Sequence, residues 1–263
     1  MYQEISQLLM YGDLEEDSIL AQMGELFGKY ETGEYNKTGL VRDINTQVKR
    51  ILKVATDYGF DDNLWHNYLT FFLMMSENPF SMTCEKVGAS DGSVNALVEN
   101  DFRIFKALFD YDFGPIEKDL GIHCFSQISN YKAIHKKDLM YNKNVSEKVR
   151  SLSKKLEAAK DEKEFFDAVT GFYKDYGVGM FGLNKAFRID DTPQGSFTFR
   201  AINNMDTVML DDLIGYELQK KKLVENTQAF CDGKAANNVL LFGDSGTGKS
   251  TSIKAIVNQF YSQ

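Results

Sequence analysis

The sequence predicts a mainly α N-terminal domain over residues 1–205 and, over 206–263, the beginning of an α/β phosphate-loop unit, with a short β-hairpin near 196–210 between them. Three observations predict this. Apolar residues recur at helical spacing through the N-terminal two thirds of the chain. The string SFTFR at 196–200 alternates apolar and polar side chains, the period of a strand. Near the C-terminus a short apolar run, 239–242, feeds GDSGTGKS, and a helical pattern leaves it through Ile253, Ile256, Val257 and Phe260. Strand, loop and helix stand there in the order a phosphate loop requires.

The length of 263 residues favours two domains over one. With 43% hydrophobic and 26% charged residues the composition is that of a soluble globular protein, and only 3 prolines argue against long linkers. A net charge of −8 opposes a primary role in coating nucleic acid, which rests on neutralising phosphates. Cys84, Cys124 and Cys231 are odd in number and lack zinc-ligand spacing, which fits a reducing cytoplasm. No run of apolar residues is long enough to span a bilayer, and the acidic start MYQEISQLLMYGDLEED does not read as a signal peptide. A cytoplasmic protein without a membrane partner is expected.

Taken in order, Ile19, Leu20, Met23, Leu26, Phe27 and Tyr30 form a first amphipathic stripe, and Leu40, Ile44, Val48, Ile51 and Ala55 a second that stops at Gly59. Leu64, Trp65, Tyr68, Leu69, Phe72 and Met75 make a third, halted by Asn78 and Pro79. Its aromatics suit core packing better than a base-stacking platform. Residues 80–92 read as turns, and a fourth helix runs from about Val94 through Leu108, with short pieces over 115–120 and 122–134. His123 and Cys124 are adjacent but lack a second ligand pair, so they are expected to be packed; His66 and His135 also lack a partner pattern.

Residues 132–163 carry ten Lys or Arg against five Asp or Glu. Since Val145, Val149, Leu152 and Leu156 supply a helical inner stripe there, the lysines are expected on a solvated face, with a nucleic-acid or acidic-partner surface as the alternative. Asp161 and Glu164 stand at capping-box spacing before a further helix. That helix ends in GVGMFG, which spells a dinucleotide fingerprint but follows a helix rather than a strand. Capping by Gly177 and tight chain approach at Gly179 and Gly182 is the better reading. Beyond it, SFTFRAI is expected to pair with the β-prone run 207–210 through Asn203 and Asn204, and Leu218, Leu223, Thr227 and Phe230 mark a helix ending at Gly233.

In GDSGTGKS, Gly243, Gly246 and Gly248 let successive backbone N–H groups turn toward phosphate oxygens. Lys249 supplies a point charge, the Ser250 hydroxyl is the expected Mg²⁺ ligand, and the helix start adds a partial positive charge. Asp244, Ser245, Thr247 and Thr251 complete the candidate site, with the Asp244 carboxylate expected to face outward. The competing reading is a Gly-rich turn before an ordinary surface helix, against which the regular flanks argue.

LDDLIGYELQKKKLVENTQAF followed by ANNVLLFGDSGTGKS resembles the start of an AAA+ ATPase unit. With GVGMFGLNKAFR and SFTFR, the stretch 165–263 resembles uncharacterised bacterial ATP-binding proteins that join a helical N-terminal half to an AAA+ core, a family of unknown function. The resemblance implies ATP or ADP and Mg²⁺ as ligands, places Leu213, Ile214 and Gly215 over the adenine, and implies a homo-oligomer. It also implies a protein substrate or partner recruited by the helical half. The family's usual basic residue inside the loop is replaced here by Asp244 or Ser245. Fourteen residues follow Lys249, so the later parts of such a unit lie outside these 263 residues, and the chain alone is expected to be a truncated, inactive ATPase. Two other functions stay open: a helical interaction module with an incomplete nucleotide site, told apart by nucleotide binding, and a nucleic-acid remodeller or loader, told apart by salt-dependent DNA binding.

Overall fold

The computed structural model describes residues 1–89, 92–134, 142–192, 195–203 and 205–261. His135, Pro193, Gln194, Asn204 and the lysines of 136–137 therefore fall outside the described residues. The chain divides into two compact units, Met1–Asn184 and Lys185–Gln263. The sequence reading placed the division after 205, so the hairpin region belongs to the second unit rather than between two domains.

The first unit is helical: α1 (Tyr2–Ile5), α2 (Ile19–Thr32), α3 (Lys37–Tyr58), α4 (Leu64–Met75), α5 (Pro79–Val87), α6 (Ser93–Phe109), α7 (Gly114–Leu120), α8 (Cys124–Ile128), α9 (Lys143–Ala158), α10 (Glu162–Tyr176) and α11 (Gly179–Leu183). The starts have local chemical causes. Ser18, Asn36, Asn63, Asn142 and Asp161 each accept a hydrogen bond from a first-turn N–H. Gly33 and Gly59 end α2 and α3 in the left-handed region, as the sequence reading expected for Gly59.

One element was misread. Asn78 and Pro79 do not merely halt α4; they open α5, where the sequence suggested turns. The Asn78 carboxamide accepts from the N–H groups of Phe80 and Ser81, and Pro79 occupies the first turn, where its missing N–H costs nothing.

One core runs through this unit. Trp65, Phe27, Phe102, Phe105, Phe125 and Phe165 are all sealed from solvent, and Leu64, Trp65 and Leu69 settle the α4 stripe as packing. The Trp65 indole N–H donates to the Leu108 carbonyl at 2.9 Å, which satisfies its polar end inside that core. The Tyr173 hydroxyl donates to the Leu73 carbonyl at 2.8 Å and lies 2.9 Å from the Tyr11 hydroxyl; burial pushes both phenols well up. Val145, Val149, Leu152 and Leu156 point α9 inward, while Lys143 and Lys154 pair with Glu147 and Asp62 on its outer side. His123 is exposed, contrary to the packed role expected for it, and Cys124 beside it is half-buried.

The second unit is small. β1 (Phe187–Asp191) and β2 (Phe197–Ala201) form an antiparallel hairpin with Ile189 opposite Phe199. The sequence reading had paired 196–202 with 207–210. The strand before the turn takes that place instead, because a chain that reverses through Gly195, in the left-handed region, returns directly onto 187–191. Asp190 and Arg200 pair across the hairpin, and the guanidinium holds the Asp190 carboxyl below its usual range.

A 3₁₀ turn over Leu210–Asp212 leads to α12 (Glu217–Cys231) and α13 (Lys249–Phe260). Among the described residues Leu210, Ala255 and Phe260 are its buried apolar residues, whereas α12 buries none and leaves Leu218 and Phe230 exposed. The expected strand at 239–242 is absent. The segment runs without ladder partners among the described residues, with Leu240 and Phe242 more than 80% exposed, so this mostly helical structure shows one two-stranded sheet and no parallel sheet. A parallel strand forms only against neighbours that complete its hydrogen bonds, and none is placed beside this one. No helix among the described residues is long and apolar enough to cross a membrane.

Candidate functional site

Within the second unit, a cavity of about 440 Å³ lies between three stretches that the sequence had singled out separately. Leu213, Ile214 and Tyr216 come from the segment before α12, Leu240, Leu241 and Phe242 from the apolar run, and Gly246, Thr247, Gly248 and Lys249 from the loop. Its size lies within the ~300–1,000 Å³ of ordinary small-molecule clefts. The apolar run fails as a strand and becomes a wall.

Backbone conformation explains the loop. Gly246 and Gly248 have φ of 80° and 81°, and Gly243 has φ of 143°, values that side chains rarely adopt. Gly248 is the residue before α13, and no side chain caps that helix, so its first-turn N–H groups are left for another acceptor. A Cβ on Gly248 would also meet Leu213 at 3.4 Å, which is how closely the loop approaches the preceding segment. Gly215, with φ of 84°, and Tyr216, with φ of 56°, turn the chain into α12.

Lys249 is folded back onto its own loop. Its Nζ donates to the carbonyls of Gly243 at 3.0 Å and Asp244 at 2.6 Å, with the Thr247 hydroxyl at 3.4 Å. The Thr247 hydroxyl donates to the Asp244 carbonyl at 2.8 Å, closing the turn. Asp244 is exposed, and its carbonyl rather than its carboxylate meets the lysine. Neutral carbonyls are weaker partners for an ammonium than an anionic oxygen, so an arriving phosphate competes well for Lys249.

Of the predicted residues, Leu213, Ile214, Gly246, Thr247, Gly248 and Lys249 line the cavity. Gly215, Gly243, Asp244, Ser245, Ser250 and Thr251 do not, although they are contiguous with residues that do. Ser250 is exposed in the first turn of α13, and the Ser252 hydroxyl donates to the Gly248 carbonyl at 2.9 Å. Among the described residues no cluster of three or more His, Cys, Asp or Glu is placed to hold a metal ion.

The sequence reading missed Lys220 and Tyr216. Lys220 lines the cavity and donates to the Leu213 carbonyl at 2.8 Å, and its Nζ pairs with Glu217 at the same distance, so it fastens the segment to α12. Helical spacing from Tyr216 to Lys220 was the available signal. At the far side, Asn258 donates to the carbonyls of Asp206 at 2.6 Å and Val208 at 2.9 Å, which anchors 206–208 along α13.

Comparison with protein families finds a match to a family described as a protein of unknown function (DUF815). It covers residues 183–263. That stretch is the second unit with two residues added, so the similarity coincides with the part of the chain that carries the cavity. Comparison with curated proteins and with solved structures finds no match. The resemblance to an uncharacterised family therefore stands for residues 183–263, and any nucleotide chemistry has to be argued from the residues.

Proposed function

We propose that the second unit is a nucleotide-binding device of the AAA+ P-loop class and that its cavity receives Mg²⁺-ATP or Mg²⁺-ADP. The observation that carries this reading is the convergence on one cavity of the 213–216 segment, the apolar run 240–242 and the glycine loop ending in Lys249. Apolar walls on one side suit a flat base. Glycine turns, an uncapped helix start and a lysine on the other suit phosphates. Ser250, in the first turn of α13, would supply a hydroxyl to Mg²⁺, and the ion would neutralise phosphate charge.

The chain's own residues account for binding rather than turnover. No carboxylate lines the cavity, and hydrolysis by this class calls for groups that hold the metal and orient a water. In this reading the helical unit recruits a protein substrate or partner, and the protein is a cytoplasmic homo-oligomer.

Isothermal titration of residues 1–263 with Mg²⁺-ATP tests the proposal. The unaltered chain is expected to bind, and Lys249→Ala to bind at least about tenfold more weakly, the loss of one charge-assisted phosphate contact. Equal affinities, or no binding by the unaltered chain, would overturn it.

A further inference from the structure

A second cavity, of about 280 Å³, lies in the helical unit, bordered by residues 61–63, by 129–132 and by the outer side of α9. Its walls are tied together. Asp62 and Tyr131 exchange backbone hydrogen bonds at 3.0 Å in each direction, which holds the two segments side by side. Asp61 adds to this tie: its carbonyl accepts from the Asn67 carboxamide at 2.6 Å and its carboxylate from the Ala133 N–H at 2.9 Å. Asp62 itself has φ of 65°, a conformation that non-glycine residues adopt at a cost and that recurs at binding sites.

The charges around this cavity are unequally satisfied. The Asp62 carboxylate has Lys154 at 3.6 Å and Asp61 is engaged as above, whereas Glu157 has only the His66 ring at 3.7 Å, whose burial favours the neutral imidazole and whose Nδ1 makes no hydrogen bond. On the positive side, Arg150 lines the cavity with no ion pair or hydrogen bond among the described residues, and its Nε is shut off from solvent without an acceptor. Lys132, exposed at the rim, likewise has no partner among them. Two of the three lining acids are engaged while both Arg150 and Lys132 lack a partner among the described residues, so the unpaired cations outnumber the unpaired acids and the cavity suits an anion.

We propose that this cavity binds a small oxyanion, the phosphate of a monoester or a carboxylate, through Arg150 with Lys132 at the rim. Arginine offers a planar fork of donors that matches two oxygens of such a group at once. The volume admits a group of that size. The site belongs to the helical unit and stands independently of the nucleotide proposal.

The test uses the full chain carrying Lys249→Ala, which removes the charged side chain of the glycine loop, and the Arg150 and Lys132 variants then separate binding at this cavity from any left at the loop backbone. Inorganic phosphate and acetate are titrated separately by calorimetry. One of them is expected to bind at millimolar concentration or better, phosphate marking a phosphomonoester site and acetate a carboxylate site. Adding Arg150→Gln should weaken that binding by about tenfold or more, and Arg150→Lys, which keeps the charge but loses the fork, by several-fold. Lys132→Gln changes only an exposed side chain, so it reads the site even where an Arg150 variant is poorly folded, and it too should weaken binding. Failure of both anions to bind, or unchanged affinity in folded Arg150→Gln and in Lys132→Gln, would refute the site.

Discussion

Asp101 lies in the middle of α6, fully buried, and its carboxylate accepts the backbone N–H groups of Leu9 at 2.9 Å, Met10 at 2.7 Å and Tyr11 at 3.1 Å. It thereby organises the irregular stretch after α1. Asp101→Ala would leave three inward-facing donors without an acceptor, and we expect a loss of about 3 kcal/mol of unfolding free energy, the upper part of the range for hydrogen bonds to a charged group. Urea denaturation measures it; a loss below about 1 kcal/mol would mean that residues 9–11 find water instead. Nothing around Asp101 in the chain announces this role, because its partners are some ninety residues away. Lys249 is the opposite case. Its neighbours Gly246, Gly248 and Ser250 are adjacent in sequence, so the motif was readable at once, whereas Lys220, which reaches the Leu213 carbonyl across a turn of α12, was not.

At the scale of elements, GVGMFG shows how spacing is resolved by context. Gly177 ends α10 with φ of 81°, and a Cβ on Gly179 would fall 2.0 Å from the Glu77 carboxylate. At Gly182 a Cβ would meet the Gly177 carbonyl carbon at 2.5 Å, an obstacle made of backbone that cannot swing aside as Glu77 can. Gly182→Ala is therefore expected to destabilise the helical unit by about 1–3 kcal/mol, the usual range for forced overpacking. Thermal melting checks this; an unchanged midpoint would show that α11 shifts freely. The same scale holds the corrections. Helix starts were legible where a capping side chain was seen to precede an apolar stripe, as at Asp161. Asn78 and Pro79 carry one chemical signal with two uses, ending α4 or opening α5, and the sequence could not choose between them. The run 239–242 has the composition of a strand, but a strand is a property of a pair.

For the whole molecule, the helical unit encloses its own core, which extends from Met1 to Leu183. A fragment of residues 1–184 is expected to give helical circular dichroism and a single cooperative melt without nucleotide. A broad or absent transition would place the division elsewhere. The second unit buries few apolar side chains, and Leu240, Phe242, Phe230 and Leu218 remain in solvent. The match to an uncharacterised family covers the whole of it, and all of the first unit but its last two residues lies outside that match.

Signals carried by residues within a few positions of one another could be read directly from the chain: the helix stripes, the caps, the glycine loop with Lys249, and the rejection of GVGMFG as a dinucleotide motif. Such features depend on local backbone geometry and on side chains that reach only a turn or two. Tertiary structure alone decided the rest. It chose 187–191 as the partner of 197–201, left 239–242 without a ladder, brought 213–216 against the loop, and set Arg150 beside Asp62 and Tyr131. Each of these is a choice among distant partners, settled by which surfaces pack and which polar groups find acceptors, and neither quantity is written in any short window of sequence.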